Sequence, residues 1–304
     1  MNRAFKGLSA FPLTPFHANS VDESVFIRLI DRLVSAEVDS IAVLGSTGSY
    51  AYLSYEERVN ISRLAVRHAA EIPVIVGIGS LRTSDVLRLA DAAQEAGAQG
   101  VLLAPMSYQK LTPDEVFALY ETITRVLSVP LCVYDNPATT QFNFSDSLLK
   151  SIAGLPNIGS IKTSFVVPGI ATTRDSMRMD IEHLRSLIPP SVTIGVAGDG
   201  LAAIGMDSGC DVWYSVIAGA FPDLGVAIAR GFREGRGAEA YALHDRYAAV
   251  WELFRQYGSL RVIATMAELS QLVESPTLPA PVTALEGDER QRVATLLCTL
   301  DALN

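Results

Sequence analysis

VIVGIGSLRTSDVLRLADAAQEAGAQGVLLA, residues 74–104, is the stretch that decides how the chain folds. It opens on Val74-Ile-Val-Gly-Ile78, apolar at consecutive rather than alternate positions, as suits a parallel strand buried on both faces. A longer amphipathic segment follows and ends at Gly97, a residue free to take the left-handed conformation of a helix C-terminal cap. Gly100-Val-Leu-Leu-Ala104 then repeats the first kind of run. Strand, helix and strand over about 30 residues make one βαβ unit.

The same alternation extends in both directions. Strands are expected at 7–11, 40–44, 74–78, 100–104, 131–134, 158–162, 193–196 and 212–216. Helices start at the capping boxes Ser54-x-x-Glu57 and Thr112-Pro113-x-Glu115, the second with proline at the first helical position, where its missing N–H costs nothing. Gly97 and Gly154 are expected to end helices as left-handed caps. Eight such units bury every strand by wrapping the sheet closed with helices outside, and no GxGxxG follows the first strand to favour an open doubly wound sheet. The fold expected is α/β, a (β/α)8 TIM barrel over residues 1–221. Residues 222–304 carry helical patterns only, at 222–234, 238–256, 259–273 and 288–300, with a proline-rich stretch at 275–281. They are expected to form a C-terminal helical appendage packed on the barrel as one structural unit.

Composition removes several functions. With 49% hydrophobic and 19% charged residues, the 304-residue chain has ample material for a core. A net charge of -9 repels a duplex phosphate backbone, so no nucleic acid partner is expected. No window approaches the roughly 20 uninterrupted apolar residues that cross a bilayer, and the first residues lack the apolar stretch of a signal peptide. Cys132, Cys210 and Cys298 form no CxxC pair and are odd in number. A soluble protein of the reducing cytoplasm is expected.

In a barrel of this kind the reacting groups come from the C-terminal ends of the strands. Asn157-Ile-Gly-Ser-Ile-Lys162-Thr-Ser ends the sixth strand on a lysine, and only four of the chain's 24 basic residues are lysines. A desolvated amine loses part of its proton affinity and becomes nucleophilic, which a Schiff base with a carbonyl compound requires. The alternative is a strand-end lysine that snorkels to solvent or pairs with a carboxylate. Leu44-Gly45-Ser46-Thr47-Gly48-Ser49 follows the second strand and could aim N–H groups and hydroxyls at a small anion, or be an ordinary turn. Tyr134 ends the fifth strand, either as a proton relay or as a barrel-filling aromatic. Tyr108 follows the fourth strand, and Gly198-Asp199-Gly200 follows the seventh, where the backbone could approach a ligand or simply turn. His17, His68, His183 and His244 show no metal-ligand spacing, and no P-loop, GxSxG elbow or dinucleotide fingerprint occurs, so neither metal nor organic cofactor is expected.

Taken in order, these elements resemble the dihydrodipicolinate synthase / N-acetylneuraminate lyase family of class I aldolases. The resemblance runs through Ala10-Phe-Pro-Leu-Thr-Pro-Phe16, Gly45-Ser-Thr-Gly48, Leu53-x-x-Glu56-Glu57-Arg58, Gly77-Ile-Gly79, Pro105, Tyr134-x-x-Pro137, Ile161-Lys162, Gly198-Asp199 and Gly209-Cys-Asp-x-x-x-Ser215. It implies that Lys162 forms a Schiff base with pyruvate or another 2-oxo acid. Ser46 and Thr47 would bind its carboxylate, and Tyr134 would move protons. It also implies a role for Tyr108 or Ser107 as a further relay position, the register between them staying open, and places Gly198 and Ser215 with Thr139 around the substrate. A homotetramer built as a dimer of dimers is implied as well.

Departures from the pattern bear on the second substrate. The synthases resemble Tyr-Asn-Val-Pro-Gly-Arg-Thr after the tyrosine, with the arginine on a substrate carboxylate, and here the matching position is Thr139. Ser49 stands where they carry glutamate, and Pro105-Met-Ser-Tyr108 replaces their Pro-Tyr-Tyr-Asn. The function expected is a Schiff-base lyase acting on pyruvate or a 2-oxo(-3-deoxy) acid by aldol chemistry or dehydration. The rivals are 4-hydroxy-tetrahydrodipicolinate synthase proper, using pyruvate and aspartate semialdehyde, and a non-catalytic ligand-binding or regulatory barrel.

Overall fold

The computed structural model describes residues 3–166 and 171–301, and all eight expected strands are present in it. They are β1 (Gly7–Ala10), β2 (Ser40–Val43), β3 (Val74–Gly77), β4 (Gly100–Leu103), β5 (Leu131–Asp135), β6 (Ile158–Thr163), β7 (Thr193–Ala197) and β8 (Val212–Ser215). Each pairs in parallel with the next and β8 returns to β1, so the sheet closes without a free edge. Side chains alternate across the barrel wall. Phe11, Ala42, Ile75, Cys132, Tyr134 and Tyr214 form an inner cluster, while Leu8, Ile41, Val76, Val133, Ile161 and Trp213 join the core under the helices. Both faces are therefore dry, which is why the strands read as unbroken apolar runs.

Helices α1 (Glu23–Ser35), α2 (Tyr55–His68), α3 (Thr83–Glu95), α4 (Pro113–Thr124), α5 (Asp146–Ala153), α6 (Arg174–Leu187), α7 (Ala202–Asp207) and α8 (Pro222–Arg233) follow the strands in turn. The two capping boxes form as read: Ser54 Oγ accepts from Glu57 N at 3.2 Å and Glu57 Oε2 from Ser54 N at 2.7 Å, and Thr112 and Glu115 repeat the exchange. Each such cap stabilises its helix by about 1 kcal/mol. Gly97 takes the expected left-handed cap at φ +90°. Gly154 does not: it is right-handed at φ −79°, and the positive φ before β6 falls on Asn157, whose Nδ2 donates to Leu127 O at 2.6 Å.

Beyond α8 come α9 (Gly237–Arg246), α10 (Ala248–Tyr257), α11 (Ser259–Leu269) and α12 (Gly287–Asp301). The single helix expected at 238–256 is two, broken at Tyr247. No glycine or proline marks the break. The carbonyl of His244 accepts from Tyr247 N and from the Trp251 indole, each at 3.1 Å, so a tertiary contact bends the chain there. Glu268 of α11 accepts from Arg290 of α12 at 2.6 Å and from Thr277 N at 3.1 Å, which ties the last helix down. Among the described residues no helix is long and apolar enough to cross a membrane.

Candidate active site

The C-terminal ends of the strands open into a cleft of about 680 Å³, floored by barrel residues and walled on one side by α9 and α10. Lys162 of β6 and Tyr134 of β5 are register partners and both point inward. Lys162 is 7% exposed, and its Nζ lies 4.5 Å from the ring centre of Tyr134, 5.3 Å from that of Phe11 and 5.7 Å from that of Tyr214. Among the described residues it forms no ion pair. The lysine neither snorkels to solvent nor sits on a carboxylate; aromatic faces hold the amine beside the cleft.

Tyr214 is a floor residue that sequence reading passed over, because a tyrosine inside an apolar strand reads as packing. Its ring fits where Gly195 of β7 has no side chain, and its hydroxyl is fixed by Ser160 Oγ at 2.7 Å and Cys132 Sγ at 3.3 Å. The turn after β2 stands over the floor. A Cβ on Gly45 would lie 2.7 Å from the Phe11 ring, and one on Gly77 would lie 1.9 Å from the Leu44 carbonyl oxygen, so the turn closes only with glycine at both places. Buried Arg58 donates to the carbonyls of Gly77 and Gly79, both at 2.9 Å, and fixes the end of β3 against that turn. The sequence motifs at 53–58 and 77–79 thus serve one contact.

Ser46 and Thr47 line the cleft as expected, Thr47 buried and Ser46 with its Oγ 3.5 Å from the Tyr134 hydroxyl. Asn136, not singled out from sequence, also lines it and donates from Nδ2 to that hydroxyl at 3.2 Å. Burial works to raise the Tyr134 phenol, but the Lys162 ammonium and hydrogen bonds with Ser46, Asn136 and Thr139 outweigh it and hold the phenol below its ordinary range. Thr139 lines the rim, and Gly198, at φ +92°, lines the wall. Buried Asp199 accepts from Ser215 Oγ at 2.7 Å and Val216 N at 3.1 Å, and burial raises its carboxyl against those bonds and the Lys162 charge. His244 Nε2 donates to the Asp199 carbonyl at 2.8 Å, so the helical appendage braces this wall.

Two expected site residues are not brought in. Ser215 is fully buried and outside the cleft. Tyr214 points into the barrel, so its strand neighbour points out, where Ser215 holds Asp199 and accepts from Ala218 N at 3.0 Å. Tyr108 is 91% exposed and does not line the cleft of its own chain, nor does Ser107. The loop doubles back where Met106 N donates to Ala104 O at 2.8 Å, leaving Tyr108 at the surface.

An inward lysine amine at the C-terminal mouth of a (β/α)8 barrel, beside a phenol and a hydroxyl-bearing turn, has the layout of a Schiff-base lyase. A sequence profile of the Dihydrodipicolinate synthetase family matches residues 4–300. The chain belongs to that family, and is a lyase of the class I, lysine Schiff-base type. It is similar to a 4-hydroxy-tetrahydrodipicolinate synthase of Persephonella marina, 28% identical over 298 residues covering 96% of this chain and 97% of the relative. One of Archaeoglobus fulgidus is 26% identical over 303 residues, 99% of this chain and 100% of its own. Among solved structures, a dihydrodipicolinate synthase from Agrobacterium tumefaciens superposes with TM-score 0.92 at 39% identity over 98% of both chains.

Proposed function

We propose that Lys162 is the Schiff-base lysine and that the substrate is pyruvate or a 2-oxo(-3-deoxy) acid, handled by aldol cleavage, condensation or dehydration. The observation that carries this reading is the Lys162 amine, 7% exposed and free of ion pairs among the described residues, beside the Tyr134 phenol in the cleft. The amine adds to the ketone and gives a carbinolamine. Loss of its hydroxyl as water leaves a protonated imine, an electron sink for the enamine formed when the neighbouring carbon loses a proton or a C–C bond. Ser46 and Thr47 take the carboxylate, Tyr134 carries protons, and Thr139 and Gly198 face the remainder of the molecule.

The cleft supports an acceptor without a second carboxylate. Thr139 occupies the position of the synthase arginine, and among the described lining residues the other lysine or arginine besides Lys162 is Arg255, paired with Glu252. Loss of a bidentate carboxylate partner is enough to change which second substrate a site accepts. The names of the relatives favour the second reading, condensation of pyruvate with aspartate semialdehyde, and coupled turnover of that pair discriminates the two. Free Cys132, Cys210 and Cys298 support a reducing, cytoplasmic setting. The homotetramer goes with the family resemblance, and the reading of barrel and appendage as one unit with the helical pattern of residues 222–304.

Borohydride reduction with pyruvate, followed by intact mass and peptide mapping, tests the proposal. An adduct is expected on Lys162 and none in Lys162→Ala. An adduct on another residue, or none with any 2-oxo acid, refutes it.

A further inference from the structure

We infer that Asn136 is a positioning residue for the Tyr134 proton relay, its side-chain amide donating to the phenol oxygen and keeping the phenol proton turned away from itself. The inference rests on the proposed role of Tyr134.

Three observations lead there. Asn136 is the N-cap of the one-turn helix Pro137–Thr140, and its carbonyl accepts from Thr139 N at 3.0 Å and Thr140 N at 2.9 Å, so its backbone is fixed. An asparagine at that position ordinarily caps with its side chain, yet this one makes no capping bond and spends its amide on the phenol at 3.2 Å. The synthase pattern has valine at this place, which offers no donor at all. With Tyr108 outside this cleft, the phenol's polar partners among the described residues are Ser46, Asn136 and Thr139. Hydroxyls donate or accept, whereas the N–H of Asn136 only donates. That single bond sets the direction of the rest: the phenol oxygen receives from Asn136, and its own hydrogen is left for Ser46, Thr139 or substrate.

The direction matters in the dehydration step. The carbinolamine C–O bond breaks as the lysine nitrogen lone pair forms C=N, and the Tyr134 proton goes to the departing hydroxyl, which leaves as water. A phenolate and a protonated imine remain, with charge balanced. The Asn136 bond then becomes charge-assisted and stronger, so it favours the state after transfer over the state before it. A merely structural asparagine would show no such preference.

Asn136→Val removes the donor, and Asn136→Asp keeps the shape but replaces the donor with a carboxylate. Two readouts apply: titration of the Tyr134 phenol by ultraviolet difference absorbance against Tyr134→Phe, and the pH dependence of the rate at which borohydride traps pyruvate on Lys162. The ionisable groups around the phenol are Lys162 of β6 and Tyr50 of the turn after β2, with Asp199 and Tyr214 coupled through Lys162, and neither variant alters them. N136V is expected to move the phenol titration up by about one pH unit and to slow capture about tenfold, with the final amount of adduct unchanged. N136D is expected to move the titration further up, because its charge repels the phenolate. A folded N136V with unaltered titration and capture rate overturns the inference. So does an N136V that titrates at lower pH, since the amide would then have been accepting from the phenol. A parent protein that traps no pyruvate while its phenol still responds to position 136 overturns the proposed function and leaves the Asn136 bond standing.

Discussion

Gly195 is the register partner of Lys162 across β6 and β7, and a Cβ built on it would stand 2.2 Å from Cε2 of Tyr214. The floor of the site is thus a ring lying where every other residue type would place its side chain. That ring is held from below by Ser160 and Cys132, so it cannot withdraw without breaking buried hydrogen bonds. Gly195→Ala is expected to destabilise the protein by about 1–3 kcal/mol through overpacking. Pyruvate trapping should weaken with it, because the displaced ring moves against Lys162. Thermal unfolding and trapping measure the two effects, and a variant unchanged in both would mean that the floor yields freely.

Most of this architecture is legible in the sequence, for reasons that differ from residue to residue. The unit at 74–104 declared itself because a parallel strand is buried on both faces, and the capping boxes at Ser54 and Thr112 did so because they are local contacts three residues apart. Lys162 was legible as a charge ending an apolar run. What escaped depended on contacts distant in sequence. The break at Tyr247 needs the Trp251 indole on the His244 carbonyl, and Asn136 beside a proline reads as a turn until its amide is seen on Tyr134. Ser215, which the resemblance sets around the substrate, lies outside the cleft lining beside inward-pointing Tyr214, and strand parity gives that placement only once the direction of Tyr214 is known.

Asp135 follows Tyr134 on β5 and is the register partner of Thr163. Burial lifts its carboxyl from 3.8 to about 6, with a Thr163 hydrogen bond working the other way. In the unfolded chain the group titrates near pH 3.9, so between about pH 4 and 6 the native state holds a proton that the unfolded chain has released. This residue therefore makes stability fall as pH rises through that window. Asp135→Asn is expected to gain about 1–2 kcal/mol above about pH 7 and little near pH 4, the full shift being discounted for partial solvent screening. Urea unfolding at the two pH values checks the sign, and an equal gain at both would contradict it.

The Glu268 side chain is 1% exposed and that of Arg290 is 32% exposed, a pair that links α11 to α12. Arg290→Met would leave a buried carboxylate with the Thr277 N–H as its remaining bond. A loss of about 3 kcal/mol is expected, toward the lower end for a broken buried pair because the arginine is partly wet. Arg230→Met breaks the exposed pair with Glu37 and should cost less than about 1 kcal/mol. Denaturant midpoints of the two variants separate these outcomes, and comparable losses would mean that the appendage is not anchored at Glu268.

Thr139 stands on the rim of the cleft, on the one-turn helix that follows Tyr134 and Asn136. The synthase pattern places an arginine there, a planar fork able to take a carboxylate through two parallel bonds. Among the described lining residues the one arginine is Arg255, whose guanidinium stands in an exposed pair with Glu252. Thr139→Arg is therefore expected to raise kcat/KM for aspartate semialdehyde, at saturating pyruvate, by about tenfold or more. The amount of pyruvate trapped on Lys162 should change little, since the hydroxyls of Ser46 and Thr47, proposed to hold the carboxylate, are untouched. Coupled turnover and borohydride trapping, run side by side, read the two halves separately. If the arginine brings no gain while trapping persists, position 139 does not select the acceptor, and the shape of the wall formed by α9 and α10 is left to do so.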